Sequence, residues 1–316
     1  MYYIGIDIGG TNIKAGIVTE DAKVLVKDKI RTGADRDYTE IVADMAALCN
    51  RLVEQSHLSW DDIDSIGIGS PGIVDGKNGV IVFAGNLSFR NAPIGAELKK
   101  HINKPVYMGN DANCAAVGEY IAAGKKDMEC YVFVTLGTGV GGGAVINGKL
   151  FAGFNNVGME VGHIAMHPGG SRVCTCGRRG CWETYASVTA LVADTKKAIA
   201  THPDGMMAKL AEENGKIDGR IAFNAARAGD EDAVNLVNTW IENVAGGIVD
   251  LVNLLAPEQL SIGGAISNEG DFLLEPIRKI VKRDQFARNV PETEVVIASL
   301  GNDAGLIGAA LLGKAQ

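Results

Sequence analysis

The stretch Tyr3-Ile-Gly-Ile-Asp-Ile-Gly-Gly-Thr-Asn-Ile-Lys-Ala-Gly-Ile-Val18 alternates apolar residues on both sides of a glycine bend, and the same design returns at an offset of 128 residues. Ile4, Ile6, Ile8, Gly9 and Ile17 correspond to Val132, Val134, Leu136, Gly137 and Val145. Period-two alternation around a glycine-rich turn reads as a β-hairpin. Two such hairpins, the second near the middle of a 316-residue chain, predict two related α/β halves.

The rest of the chain fits that plan. A third strand is expected over Val24–Ile30, and Tyr38–Gln55 carries apolar residues at the helical period. Ile63–Gly69, Lys104–Gly109 and Gln259–Ile262 read as strands, and Asn147-Gly148 supplies a hairpin turn. Helices are expected over Asp111–Ala123, 184–200, 231–255 and Asp303–Leu312. The domain junction falls near residues 110–130, giving an N-terminal α/β domain of 1–112 plus 302–316 and a second domain of 113–301.

Composition narrows the function classes. Hydrophobic residues at 47% and charged residues at 22% exclude wholesale disorder. Thirty basic against 38 acidic residues, net −8, leave no basic footprint for nucleic acid. No apolar run reaches the ~18 residues of a membrane span, and the N-terminus opens directly in strand pattern, so the expectation is a cytoplasmic protein with no membrane partner.

Forty-one glycines cluster at turns, where backbone bends sharply or approaches a ligand. Gly-x-Gly-x-x-Gly occurs at 67/69/72 and at 137/139/142, but the second runs into a hairpin pattern, which argues against a dinucleotide fold. No Walker A sequence is present. The two bends, each with a threonine (Thr11 and Thr138), are instead candidate phosphate nests. Asp7, on the strand entering the first bend, is placed to hold Mg²⁺ through water.

His163 and Cys174-Thr-Cys176-Gly-Arg-Arg-Gly-Cys181 lie within 19 residues. Three thiols and an imidazole match a closed tetrahedral Zn²⁺ site, with His167 competing with His163 on spacing alone. Cys49, Cys114 and Cys130 read as core thiols. Asn110-Asp111 ends a strand and opens a helix, where Asp111 is either a cap or a general base. With Asn86, Glu160 and Glu183, these polar groups suit a ligand rich in hydroxyls.

Taken together, Asp7-Ile-Gly-Gly-Thr-Asn-Ile-Lys14, Gly69-Ser-Pro-Gly72, Gly109-Asn-Asp111, Leu136-Gly-Thr-Gly139, Glu160-Val-Gly-His163 and Cys174–Glu183 resemble the ROK family of sugar kinases and repressors, most closely its glucokinases. The resemblance spans the whole chain. It implies an actin-like ATPase fold of two ribonuclease-H-like domains with an interdomain cleft. ATP and Mg²⁺ would bind at Asp7, Gly9, Gly10, Thr11, Asn12 and Lys14 and at Gly137, Thr138 and Gly139, with adenosine near Gly263-Gly264. Asp111 would be the base for the sugar 6-hydroxyl. Asn86, Asn110, Glu160, His163 and Glu183 would hold the hexose, and His163, Cys174, Cys176 and Cys181 a structural zinc. A homodimer or higher homo-oligomer is expected. The stretch Asn86-Leu-Ser-Phe-Arg-Asn-Ala-Pro93 lacks the tryptophan common before Asn-x-Pro in glucokinases, leaving fructose, allose or N-acetylmannosamine open as substrate. The family's repressors carry an added DNA-binding domain; here the first phosphate motif begins at residue 5, which points to the kinase class.

Overall fold

Both glycine bends form hairpins. In the computed structural model, which describes residues 1–125 and 127–315, β1 (Tyr2–Ile8) pairs antiparallel with β2 (Asn12–Thr19), from Tyr2 opposite Thr19 to Ile8 opposite Ile13. This register sets Asp7 across from Lys14. β3 (Val24–Arg31) adds antiparallel to β2. After α1 (Tyr38–Gln55), β4 (Ile63–Ser70) pairs parallel to β1. A small antiparallel sheet follows, made of β5 (Ile73–Asp75), β6 (Val80–Phe83) and β7 (Arg90–Ala92). Next come α2 (Ile94–Lys99), β8 (Val106–Asn110) parallel to β4, and α3 (Asp111–Ala122). The sheet order is β3-β2-β1-β4-β8.

The second hairpin is β9 (Cys130–Leu136) and β10 (Val140–Ile146), extended through the Asn147-Gly148 turn by antiparallel β11 (Lys149–Phe151). Helices α4 (Glu183–Ala186), α5 (Val188–Thr201), α6 (Met206–Asn214), α7 (Gly219–Arg227) and α8 (Glu231–Leu255) precede β12 (Gln259–Gly263). α9 (Asp271–Asp284), β13 (Glu294–Ile297) parallel to β12, and α10 (Ala304–Leu311) complete the chain. The order β11-β10-β9-β12-β13 repeats that of the first sheet, strand for strand. The sequence repeat is therefore a repeat of topology.

The chain divides into two compact units, one of Met1–Phe133, Gly143–Met159 and the segment from Ser299 onward, the other of Val134–Gly142 and Glu160–Ala298. In the first, Ile4, Ile6, Ile8, Ile13 and Ile17 are buried with Ile41, Met45, Leu48 and Leu52 of α1. On this scale burial is the main favourable term, at ~1.5–3 kcal/mol per large aliphatic side chain. α10 packs on the sheet and on α3 with backbone-to-backbone closeness. A Cβ at Gly5 would run into the Leu306 carbonyl, one at Gly67 into that of Ala309, and one at Gly308 into that of Cys114.

In the second unit Trp182 is fully buried against Gly247 of α8, its indole N–H donating to Asn243 O at 2.8 Å. This fastens the cysteine-rich loop to the longest helix. The expected helix 184–200 is broken at Ser187, whose hydroxyl caps α5 by accepting the Ala190 N–H at 3.1 Å. Cys49 and Cys114 are fully buried, whereas Cys130 is only half-buried.

Candidate functional site

The first bend presents unpaired amides. Gly9 N–H donates to Asn12 O at 3.0 Å, while nothing among the described residues accepts from the Gly10 and Thr11 N–H groups. Asn86, exposed on the loop after β6, lies against Gly10; a Cβ there would be 3.4 Å from its Nδ2. The second bend repeats the arrangement. Gly137 N–H donates to Gly139 O at 2.9 Å, and the Thr138 and Gly139 N–H groups find no acceptor among the described residues. Adjacent free amides at a turn form a concavity for anionic oxygens.

Beside the second bend lies a cavity of about 580 Å³, with apolar walls from Leu136, Val188, Val192, Gly219 and Ile266 and polar groups from Thr138, Thr189, Asp218, Arg220, Asn268 and Glu269. Apolar walls combined with hydrogen-bonding side chains suit a flat heteroaromatic ligand that carries polar substituents. Gly264 adopts φ +93° and a Cβ would collide with the Leu136 carbonyl, so only glycine lets β12 turn here. Gly263-Gly264 thus shapes the cavity by leading Ala265 and Ile266 into its wall.

In the first unit, Asn110 is the N-cap of α3: its Oδ1 accepts the Ala112 N–H at 2.9 Å and its Nδ2 donates to Gly72 O at 3.1 Å. Capping is therefore done by Asn110, and Asp111 is the exposed first residue of the helix, its Oδ1 accepting the Ala112 N–H at 2.8 Å. Asp7 is lifted above the usual carboxylate range by burial, with Lys14 at 3.9 Å pulling part of the way back. Burial and the charges of both Asp111 and Asp7 hold the Cys114 thiol well above its ordinary value, so the two carboxylates act on one locality.

The thiol cluster is closed. The ligand atoms of His163, Cys174, Cys176 and Cys181 all lie within 4.8 Å of one another. Metal–sulfur bonds of ~2.3 Å in a tetrahedron place two sulfurs ~3.8 Å apart; the Cys176 and Cys181 sulfurs are 3.7 Å apart, and Cys174 Sγ is 3.5 Å from His163 Nδ1. The donor set fits a single tetrahedral ion. Burial pushes Cys174 up and Cys181 up to about 12, while the Arg178 backbone N–H draws Cys176 down. Converting all three to thiolates calls for a cation in their midst. His167 lies outside this set, its ring against Tyr185 (centroids 4.3 Å apart) and its Nε2 3.4 Å from Asn243 Oδ1.

Glu160 is exposed, and its carbonyl accepts the His163 N–H at 3.1 Å, closing the turn that presents the imidazole. Glu183 is half-buried, one oxygen accepting the Val140 N–H at 3.1 Å and the other 3.6 Å from the Cys174 sulfur. The structure thus collects Asp7, Gly9–Asn12, Lys14, Asn86, Asn110 and Asp111 in one unit and Gly137–Gly139, Glu160, His163, Glu183, Gly264 and the thiols in the other. The cavity residues of α5, α7 and 265–269 escaped the sequence reading, because no spacing rule connects them. Thr32 and Thr189, which bond the two bends, escaped it for the same reason.

A five-stranded mixed sheet that occurs twice along the chain, each time with an amide-lined glycine hairpin, is the actin-like ATPase fold, the framework of a class of phosphotransferases. A profile of the ROK family matches residues 3–316, and the chain belongs to that family. A glucokinase of Streptomyces coelicolor is 38% identical over 315 residues, 98% of this chain and 97% of that one. One of Halalkalibacterium halodurans is 35% identical over 315 residues, 100% and 96% of the two chains. A solved ROK family glucokinase from Streptomyces griseus, in complex with glucose and AMPPNP, superposes with a TM-score of 0.81 at 36% identity over 99% of both chains.

Proposed function

We propose that the chain is an ATP-dependent glucokinase, moving the γ-phosphoryl of ATP to the 6-hydroxyl of glucose. The observation that carries this reading is the matched pair of hairpins, each offering two free amides beside a threonine. Phosphoryl transfer asks for positioning and neutralisation of charge more than for covalent chemistry.

Asp111 accepts the proton of the attacking hydroxyl, its carboxylate exposed at the head of α3 where an incoming hydroxyl can reach it. Asn86, Asn110, Glu160, His163 and Glu183 hold the hexose hydroxyls. Asp7 would hold Mg²⁺, which would neutralise phosphate charge, while Lys14 and Asn12 beside the first bend would meet phosphate oxygens directly. The cavity beside Gly263-Gly264 takes adenosine, its apolar walls on the faces of the base. His163, Cys174, Cys176 and Cys181 hold a structural zinc, which supplies tautomeric fixation rather than Lewis-acid chemistry, because four protein donors fill a tetrahedron. With Nδ1 facing the thiols, Nε2–H is the nitrogen left to donate to a sugar hydroxyl. A cytoplasmic homodimer or higher homo-oligomer working in glycolysis fits the reading, and among the described residues no helix is long and apolar enough to cross a membrane.

Coupled detection of ADP with glucose, fructose, allose, mannose and N-acetylmannosamine tests it. Glucose should give the highest kcat/KM. A tenfold preference for another sugar overturns the substrate, and the absence of hexose-stimulated turnover overturns the kinase reading altogether.

A further inference from the structure

Two carbonyls of each bend are occupied by donors from elsewhere in the chain. Thr32, just after β3 and fully buried, takes both in the first bend: its hydroxyl donates to Gly9 O at 2.6 Å and its backbone N–H to Thr11 O at 3.0 Å. Thr32 is itself held from outside, its carbonyl accepting from Arg36 at 3.0 Å while that guanidinium binds Asp44 of α1 at 2.7 Å. The second bend is gripped in the same manner by the start of α5. Val188 N–H donates to Gly137 O at 2.9 Å, and the Thr189 hydroxyl donates to Thr138 O at 2.7 Å. Each hairpin therefore has one threonine hydroxyl and one backbone N–H on two of its carbonyls. These donors come from unrelated segments, the residue just after β3 in one unit and the start of α5 in the other.

We propose that Thr32 and Thr189 are positioning residues for phosphoryl transfer, clamping bend carbonyls so that the Gly10 and Gly139 amides, rather than the Gly9 and Thr138 oxygens in the same peptide planes, meet the donor phosphates. The inference rests on the kinase reading above. A peptide plane that rotates exchanges an N–H for a C=O, so a bend without its clamp would present a repelling oxygen to an anion some of the time. Clamping removes those conformers before the nucleotide arrives, which is preorganisation. Thr32 acts from a buried position and touches no ligand atom; it works through Gly9 and Thr11.

The test uses Thr32→Val, which keeps size and backbone N–H but deletes the hydroxyl, with Thr32→Ser restoring it, and the same pair at the exposed Thr189. Calorimetry with AMPPNP and with glucose, and steady-state kinetics in ATP and in glucose, are compared with the parent protein. Loss of one hydrogen bond to a bend carbonyl is expected to weaken nucleotide binding or kcat/KM for ATP by ~3–12-fold. Glucose affinity should stay within about twofold and the serine variants should recover most of the loss. Valine variants with unaltered ATP parameters overturn the clamp. So does an equal loss of sugar and nucleotide affinity that serine fails to repair, since that pattern marks general damage. A parent protein that binds AMPPNP but shows no hexose-dependent turnover sinks the kinase reading while leaving the clamp measurable by calorimetry.

Discussion

Glu183 accepts the backbone N–H of Val140 at 3.1 Å, joining the first residue of β10 to the helix that follows the last thiol of the cluster. Its second oxygen reaches the Cys174 sulfur at 3.6 Å. One carboxylate therefore connects a metal-type donor set to the foot of a phosphate bend, and disturbing the metal should be felt first at whatever Glu183 and His163 touch.

Replacing the exposed thiol, Cys176→Ser, is expected to abolish stoichiometric zinc and to raise the sugar KM by ~10–100-fold, the range seen when supporting groups of metal sites are removed. The ATP KM should change less, because Val188 and Thr189 hold Gly137 and Thr138 without help from Glu183. Metal analysis with separate sugar and nucleotide titrations checks this. A folded, zinc-free variant with parental sugar affinity would disprove the coupling.

Asp111→Asn should bind glucose and AMPPNP as the parent does while kcat falls by at least ~10²-fold, since the amide cannot accept a proton. Asn110 already caps α3, so stability should stay within ~0.5 kcal/mol. Single-turnover rates and a urea titration separate the two effects; a near-parental kcat would leave Asp111 with only a role at the helix terminus.

Asp7 offers a pH test. Its folded-state carboxyl is raised above the unfolded value by burial, so the stability it contributes is full below the unfolded value and is lost as pH rises through the folded one. Asp7→Asn removes a buried charge. The ligand-free variant should melt higher than the parent at neutral pH, with the difference shrinking as pH falls through the carboxylate range. Activity should move the opposite way, with kcat/KM for Mg²⁺-ATP reduced by ~10²-fold or more as charge stabilisation at the phosphates is lost. Melts from pH 4 to 8 at matched ionic strength decide it, and a variant less stable at pH 7 would contradict the assignment of burial as the dominant cause.

Two glycines should part stability from function. Gly67→Ala drives a methyl into the Ala309 carbonyl and should cost ~1–3 kcal/mol or more in urea unfolding. Gly137→Ala meets open space, so the fold should be nearly unaffected while the methyl encroaches on the phosphate side of the bend and raises the ATP KM. Equal stability losses in the two variants would refute the distinction.

Much of this was legible without coordinates, and the physical reason is locality. The hairpins announced themselves because strand alternation and a turn at Gly9–Asn12 or Gly137–Gly139 are written in adjacent residues. The thiol set was readable because Cys174, Cys176 and Cys181 share one short loop, and the resemblance to the family singled out His163. What stayed hidden depends on tertiary approach. Thr32 lies 23 residues from Gly9 and Thr189 lies 51 from Thr138, and neither segment carries a pattern marking it as a clamp. The cavity draws its walls from four separate segments, with Gly219 chosen for how little room it takes beside Val188. The strands β5–β7 were missed because each has only three or four residues, too few for a period to show.

The glycine-to-carbonyl seating of α10 on β1, β4 and α3 bears on how the chain reaches its native state. The helix that seals the first unit is separated from β1 by nearly the whole of the second unit, Glu160–Ala298. During vectorial synthesis the later-starting unit is complete while the earlier one still lacks a wall, so the order of closure runs against the order of translation. Contacts of such long sequence separation slow folding, and until α10 arrives the surfaces of Gly5, Gly67 and Gly118 are bare apolar ground, the kind that chaperones cover and aggregation exploits.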